Sequence, residues 1–393
     1  MASFGGFIVQ IAVLDIGSRQ ISVLLGKYGI NNCVVIDGCC ECDYSGFLDG
    51  QFLQPDELHR VFAEAIRGAC KDEMPEKITV GLPGEFCTTV VRDVQMSLGR
   101  RRKILEQDIT EMHNNGELKI SMIDCTTINI QAITYMLDGT SRTLNPEGMI
   151  AQSFAGRISY TLCPNSIVQL IESVLKSIGI KEVEYCSSVL AESLFLFDDV
   201  QRDKGIVLID CGYLTTSVAI IKGDGLLAHY SFSAGGAHIS ADINMHMNVP
   251  YDIAEILKQE IKLSLSFKED DNYEIRKDHI IYRYNAVIVN AIATERIRAI
   301  GSTVFQALSN HHKTQNFDVY VTGGGISFMR GAKDILCKVL GRQINTIAPS
   351  LQYYNLPHQS SMLGLLSTVL KSQESNFVAT TSHKGFFSKL SGK

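Results

Sequence analysis

Two short strings share the residue types that hold phosphate and a hydrated metal ion. Asp15-Ile16-Gly17-Ser18 and Asp210-Cys211-Gly212-Tyr213-Leu214-Thr215-Thr216 each close an apolar run, Ile11 to Leu14 in the first case and Ile206 to Ile209 in the second. An aspartate at a strand end can orient water in the shell of Mg²⁺, which keeps several of its waters and needs few protein carboxylates. Gly17 and Gly212 leave room for backbone N–H groups to approach phosphate oxygens, and the hydroxyls of Ser18, Thr215 and Thr216 are further donors. On its own an Asp-x-Gly hairpin is an ordinary tight turn. Here it occurs twice at a constant offset of 195, with Ile11/Ile206, Asp15/Asp210, Gly17/Gly212, Ser22/Ser217, Val23/Val218 and Lys27/Lys222 identical. A duplication on that scale implies two similar half-molecules, each offering its hairpin to a shared cleft.

Two further pieces have the right chemistry. Val319 to Thr322 reads as a strand, Gly323-Gly324-Gly325 as a loop, and Gly331 to Leu340 as a helix, an order that brings backbone close to a nucleotide. It is neither a P-loop, since no Gly-Lys-Ser/Thr follows, nor a GxGxxG. Glu255 and Lys258 stand three apart on one helix face, a spacing that serves a ligand or a plain solvated ion pair.

The elements that must position these residues come from an ordinary globular composition. The 393 residues are 45% hydrophobic and 20% charged with mean hydropathy +0.08, enough for two or three domains. A net charge of −6 leaves no overall footprint for nucleic acid, which is excluded as a partner. No apolar run reaches the roughly 18 residues of a spanning helix. Met1 to Gly17 lacks the basic start of a cleaved signal and is read as leading into a buried strand, so the chain is expected to stay in the cytosol. Eleven cysteines are scattered along the chain, and the Cys39/Cys42 pair has no second pair at zinc spacing, so most are read as reduced core thiols.

In this order the motifs resemble the phosphate-1, phosphate-2, connecting and adenosine motifs of the actin/Hsp70 ATPase superfamily. Within it the chain resembles the FtsA family of bacterial cell-division proteins, with supporting matches at Ser233 to Ile243, which contains Gly235 and Gly236, and at Gly385 to Leu390. The resemblance runs from about Ile11 to Lys393. It implies an α/β actin-like two-lobed ATPase fold, built of duplicated RNase H-like domains, with an FtsA-type α+β insert (1C/SHS2) in the first lobe. The corresponding segments are 8–83 and 165–203 for the first lobe core, 84–164 for the insert, 204–240 and 311–370 for the second lobe core, and 241–310 for its smaller subdomain. Within the insert, alternating apolar and polar residues at Val90 to Ser97, Thr126 to Tyr135 and Ala155 to Leu162 predict half-buried strands, and Ile104 to Leu118 a helix. Arg100 to Lys103 is read there as a solvated turn.

The resemblance also implies ATP and Mg²⁺ as cofactors. The nucleotide contacts would be Asp15, Gly17, Ser18, Asp210, Gly212, Thr215, Thr216, Gly235, Gly236, Glu255, Lys258, Gly323, Gly324 and Gly325, with Asp15 and Asp210 holding Mg²⁺ through water. Partners implied are the tubulin-like protein FtsZ, further copies of the chain in protofilaments, other divisome proteins and an anionic membrane surface. The place implied is the cytoplasmic face of the cell membrane at the septum. Tyr213 and Leu214 stand where family members usually have further glycines, and Gln20 where a Lys is common, so at most a slow ATPase is expected. After a polar linker at 371–383, the tail 384–393 gathers Phe386, Phe387 and Leu390 on one helix face among Lys384, Lys389 and Lys393, the pattern of a basic amphipathic membrane-surface helix. The alternatives are a PilM-like pilus-assembly protein, against which the tail argues, and a sugar or acetate kinase, for which no acceptor-facing carboxylate stands out.

Overall fold

The computed structural model describes residues 10–29, 33–71, 74–118, 120, 124–311 and 314–372. The tail residues Lys384, Phe386, Phe387, Lys389 and Leu390, and all but the first two residues of the linker, lie outside them.

Two five-stranded sheets form the framework, and they have one topology. In the first the order is Val34–Asp43, Gln20–Tyr28, Ile11–Ile16, Lys77–Leu82, Glu182–Ser187; in the second it is Gly225–Phe232, Thr216–Lys222, Ile206–Cys211, Asp318–Thr322, Ile344–Thr346. Each begins with an antiparallel meander and continues with parallel strands. The sequence repeat is a structural repeat down to its register: Asp15 pairs Ser22 and Asp210 pairs Ser217. The central strands are apolar at successive positions because both faces of each sheet are covered. Ala12, Leu14 and Ile16 face one core and Ile11 and Val13 another; Val207, Ile209 and Cys211 likewise alternate with Ile206 and Leu208.

Between Lys77–Leu82 and helix Asn165–Ile178 the first lobe carries the insert, a four-stranded sheet ordered Thr88–Lys103, Ile150–Pro164, Cys125–Leu137, Ser141–Thr143 with helix Glu106–Glu117 packed on it. Of the basic run in its first strand, Arg102 is bonded bidentate to Asp108 and the other three cations are exposed. The segment 241–310 does not have a core of its own: Ile243, Leu257 and Ile297 pack with Val207 and Ile209 of the second sheet.

One segment lies elsewhere than expected. Residues 360–372 are helical and, although 360–370 are assigned from sequence with the second lobe and 371–372 with the linker, they pack Met362, Leu363, Leu365, Leu366, Val369 and Leu370 on Ile11, Val13 and Leu24 of the first. A continuous apolar helix suits either sheet, and the choice is made by a crossing. Helix Ser188–Leu196 lies between the lobes, with Ala191 in the first-lobe core and Val189 and Leu190 in the second. The helix 360–372 crosses it so closely that a Cβ on Gly364 would stand 2.6 Å from the Ala191 carbonyl oxygen. Gly364→Ala must push the two backbones apart, and overpacking of this kind costs about 1–3 kcal/mol. A lower urea midpoint is expected for the variant, and an unchanged midpoint would show that the crossing is not tight in solution.

Candidate functional site

The two hairpins face one another across a cleft of about 710 Å³. Both turns close in the same way, Gly17 N–H donating to Gln20 O at 3.0 Å and Gly212 N–H to Thr215 O at 2.9 Å, so the glycine amides themselves are spent on the turns. The Tyr44 hydroxyl donates to Gly17 O and fixes the first turn from behind. The turns also touch: Leu214 N–H donates to Ser18 Oγ at 3.0 Å.

Of the residues singled out from sequence, Asp15, Gly17, Ser18, Asp210, Gly212, Thr215, Glu255, Lys258, Gly323, Gly324 and Gly325 line this one cleft. Three do not. The Thr216 side chain is wholly buried and its hydroxyl donates to Ala234 O at 2.5 Å, so it ties the turn to the next loop rather than facing the cleft. Gly235 and Gly236 are buried beneath the second turn, where Gly236 N–H donates to Gly212 O at 2.9 Å and a Cβ on Gly236 would meet the Gly325 backbone at 2.6 Å. They are glycines because three loops converge there, not because a ligand does. Glu255 and Lys258 are not a solvated pair: they meet at 2.6 Å with Lys258 buried, and the second oxygen of Glu255 accepts from Ser240.

Strand ends and the crossing helix together place three carboxyl groups at the cleft. Asp15 is buried at the end of its strand and accepts from Ser188 Oγ at 2.7 Å. Burial pushes its pKa up, against the hydrogen bonds from Ser188 and Ser361. Asp210 is pushed up to about 6, by burial first and by the charge of Asp15 second. Glu192, on the helix between the lobes, is 2% exposed and accepts from Ser360 Oγ; burial and then the charge of Asp210 hold it well above the usual carboxylate range. Carboxylates that raise one another's pKa are relieved by a nearby cation. Among the described residues no cluster of three or more His, Cys, Asp and Glu groups forms a direct metal cage. The donor set therefore fits an ion held through its waters by Asp15 and Asp210, which is how Mg²⁺ binds where few protein ligands reach it.

Sequence reasoning passed over Glu192, Ser188, Ser360, Arg19, Phe328 and His358, all of which line the cleft. Glu192 left a signal, a lone acid in the apolar stretch Val189-Leu190-Ala191-Glu192-Ser193-Leu194. Phe328 follows the glycine loop and its ring centroid lies 6.3 Å from that of His358, giving a half-open aromatic pair at the edge of the cleft.

No family model matches the chain. It is 22% identical over 376 residues to the cell division protein FtsA of Neisseria meningitidis, covering 92% of this chain and 90% of that one. To FtsA of Streptococcus pneumoniae it is 22% identical over 378 residues, covering 95% and 82%, and to FtsA of Escherichia coli K12 20% identical over 377 residues, covering 90% and 88%. Among solved structures it is similar to a chain of the PilM–PilN type IV pilus biogenesis complex, with TM-score 0.64, 15% identity and coverage of 92% and 99%. It is also similar to MreB5 of Spiroplasma citri bound to AMPPNP, with TM-score 0.55, 12% identity and coverage of 93% and 98%. The fold is that of the actin-like ATPases, and the sequence is related over nine-tenths of its length to cell division proteins FtsA.

The raised pKa of Asp210 has a sign that can be tested. A carboxyl whose folded-state value rises from 3.8 to about 6 costs nothing when protonated in both states and destabilises the fold increasingly as pH passes from about 4 to above 6. In chelator and without ligand, Asp210→Asn is expected to be more stable than wild type by about 1–3 kcal/mol at pH near 8, the gap closing toward pH near 4. Urea midpoints at several pH values check this, and a gap that does not depend on pH would contradict the burial of the charge.

Proposed function

We propose that the chain is an actin-like cell-division protein that binds ATP with Mg²⁺ in its interlobe cleft, self-associates, and holds FtsZ filaments at the cytoplasmic face of the membrane during septum formation. The observation that carries this is the pair of strand-end carboxylates, Asp15 and Asp210, facing one cleft between two lobes of one topology in a chain related to FtsA. Mg²⁺, when bound, would neutralise phosphate charge there. Asp15 and Asp210 would orient its waters and the two turns would hold the phosphates, with Glu255, Lys258, the glycine loop at 323–325, Phe328 and His358 left for the nucleoside among the residues that line the cleft. Tyr213 and Leu214 crowd the second turn, which favours binding over fast hydrolysis.

The surface best suited to a filament partner is in the segment 241–310. A groove of about 380 Å³ there is lined by Leu263, Leu265, Phe267, Val287 and Ala291, with Glu295 and Arg298 at its polar side, and Ile280, Ile281 and Ile288 are exposed on the same subdomain. These exposed apolar side chains are what the proposed contact would cover. A PilM-like role in pilus assembly is the second reading, and the likeness to the PilM–PilN complex favours it; the basic amphipathic tail favours the first.

Two measurements test the reading. Asp15→Ala is expected to weaken ATP binding about tenfold or more in Mg²⁺, the loss of charge-assisted hydrogen bonds to the metal's waters, and to change it little in chelator. Equal affinities of variant and wild type in Mg²⁺ would remove the site. For the tail, replacing Phe386 and Phe387 by Asp is expected to abolish co-sedimentation with anionic liposomes, alone and with FtsZ filaments, while ATP binding persists. Each lost ring removes about 1.5–3 kcal/mol of gross insertion energy. A variant that sediments like wild type would leave the PilM-like reading in front.

A further inference from the structure

We propose that Tyr213 is a strap across the mouth of the cleft that sets how fast a nucleotide enters and leaves. The inference rests on the nucleotide-binding reading above. Tyr213 directly follows the glycine of the second turn, and its ring is approached by cations from both lobes. The Arg19 guanidinium, from the first-lobe turn, is 5.1 Å from the ring centroid, and the Lys258 ammonium, from helix Tyr251–Glu260 of the second lobe, is 5.6 Å from it. Both lie within the roughly 6 Å over which an aromatic face attracts a cation. The ring cannot swing freely, because its hydroxyl is hydrogen-bonded to that of Tyr251 at 2.9 Å and its carbonyl accepts from Ala237 N–H at 2.8 Å.

Glu255 completes the cluster, 2.6 Å from Lys258 and 3.9 Å from Arg19. The other anion near Arg19 is Asp43 at 3.7 Å, an exposed pair of the kind that contributes little. Arg19 is thus held to the second lobe by the ring and by Glu255. The neighbouring bond from Leu214 N–H to Ser18 Oγ crosses the cleft at the same level. Parting the two turns, and so widening the cleft between them, takes Arg19 off the ring and breaks the Leu214–Ser18 bond.

A strap of this kind stabilises the closed form whether the cleft is empty or filled. It therefore slows entry and exit together and leaves their ratio nearly unchanged. A side chain that simply touched the bound phosphates would slow exit alone, since affinity differences between related complexes appear mostly in the release rate.

Stopped-flow fluorescence of the full chain with a fluorescent ATP analogue and Mg²⁺ separates the two. Tyr213→Ala is expected to raise association and release rates about tenfold each, the scale set by two cation–π contacts. The dissociation constant should stay within about threefold of wild type. Tyr213→Phe keeps the ring and both cation contacts but loses the tether to Tyr251, so its rates should lie between those of wild type and Tyr213→Ala. Arg19→Gln, at an exposed position that does not endanger folding, should raise both rates severalfold. If release alone accelerates, Tyr213 is a ligand contact and the strap is wrong; if both rates match wild type, or Phe behaves as Ala, it is wrong as well. Failure of the wild type to bind the analogue would overturn the nucleotide reading and this inference together, whereas normal binding with unchanged rates overturns this inference only.

Discussion

The crossing of two helices at Ala191 and Gly364 is the constraint on which the rest of the molecule depends. The Ala191 carbonyl leaves no space for a side chain at position 364, so the helices 188–196 and 360–372 meet backbone to backbone. One face of the first sheet packs on this pair through Ile11 and Val13, and one face of the second on the helix 188–196 through Ile206 and Leu208. Both central strands are thereby aimed at the same place, and Asp15 and Asp210 at their ends arrive at one cleft. Glu192, one residue beyond Ala191, is carried there by the crossing itself. The site is a consequence of how two copies of one sheet share a support.

That arrangement has an electrostatic cost. Three carboxyl groups are brought close together, Asp15 and Glu192 buried and Asp210 partly so, and all three are pushed toward the neutral form. A fold selected for stability alone would put Asn, Ser or an apolar residue at these positions, as the opposed effects of burial and like charge make each ionised group unfavourable. Groups kept in spite of such a cost are the ordinary mark of a functional site. The serines help by donation: Ser188 to Asp15 and Ser360 to Glu192.

What the chain disclosed before folding was whatever repeats or is local. The offset that aligns Asp15 with Asp210 and Ser22 with Ser217 foretold two hairpins of equal register, and the strand, loop and helix around Gly323 are where their pattern put them. The strands of the insert were visible in their alternation, and its helix in its length. One miss is local, Arg100 to Lys103, which ends a strand instead of forming a turn, and those at the cleft are long-range. Thr216 and Thr215 are neighbours of one residue type, and only the position of the Ala234 loop decides that the first turns inward and the second faces the cleft. Gly235 and Gly236 look like phosphate glycines, yet the approach they permit is to the backbone at Gly212 and Gly325. The helix 360–372 is apolar enough for either lobe, and nothing local in it specifies the crossing at Ala191.

The insert shows how far the shared support reaches. It is rooted in the first lobe, but it also grips the second. Asp224 N–H donates to Ala132 O at 3.1 Å and Ser159 Oγ donates to Leu226 O at 2.8 Å, while Arg142 pairs with Asp203 on the helix Asp199–Lys204 that leads into the second lobe. Arg202, almost fully buried, holds the turn that makes these contacts, donating to Gly223 O at 3.1 Å and to Asp224 at 2.6 Å. Nearer the cleft, Ser233 of the second lobe donates to Asp49 of the first at 2.8 Å, beside Glu85 at the root of the insert. A rotation of one lobe about the helix crossing must shear this whole row of contacts or carry the insert with it. Packed interfaces of this sort shift between discrete arrangements rather than deform continuously. The bonds Ala132/Asp224, Ser159/Leu226 and Asp49/Ser233 thus tie the orientation of the insert and the first lobe to that of the second.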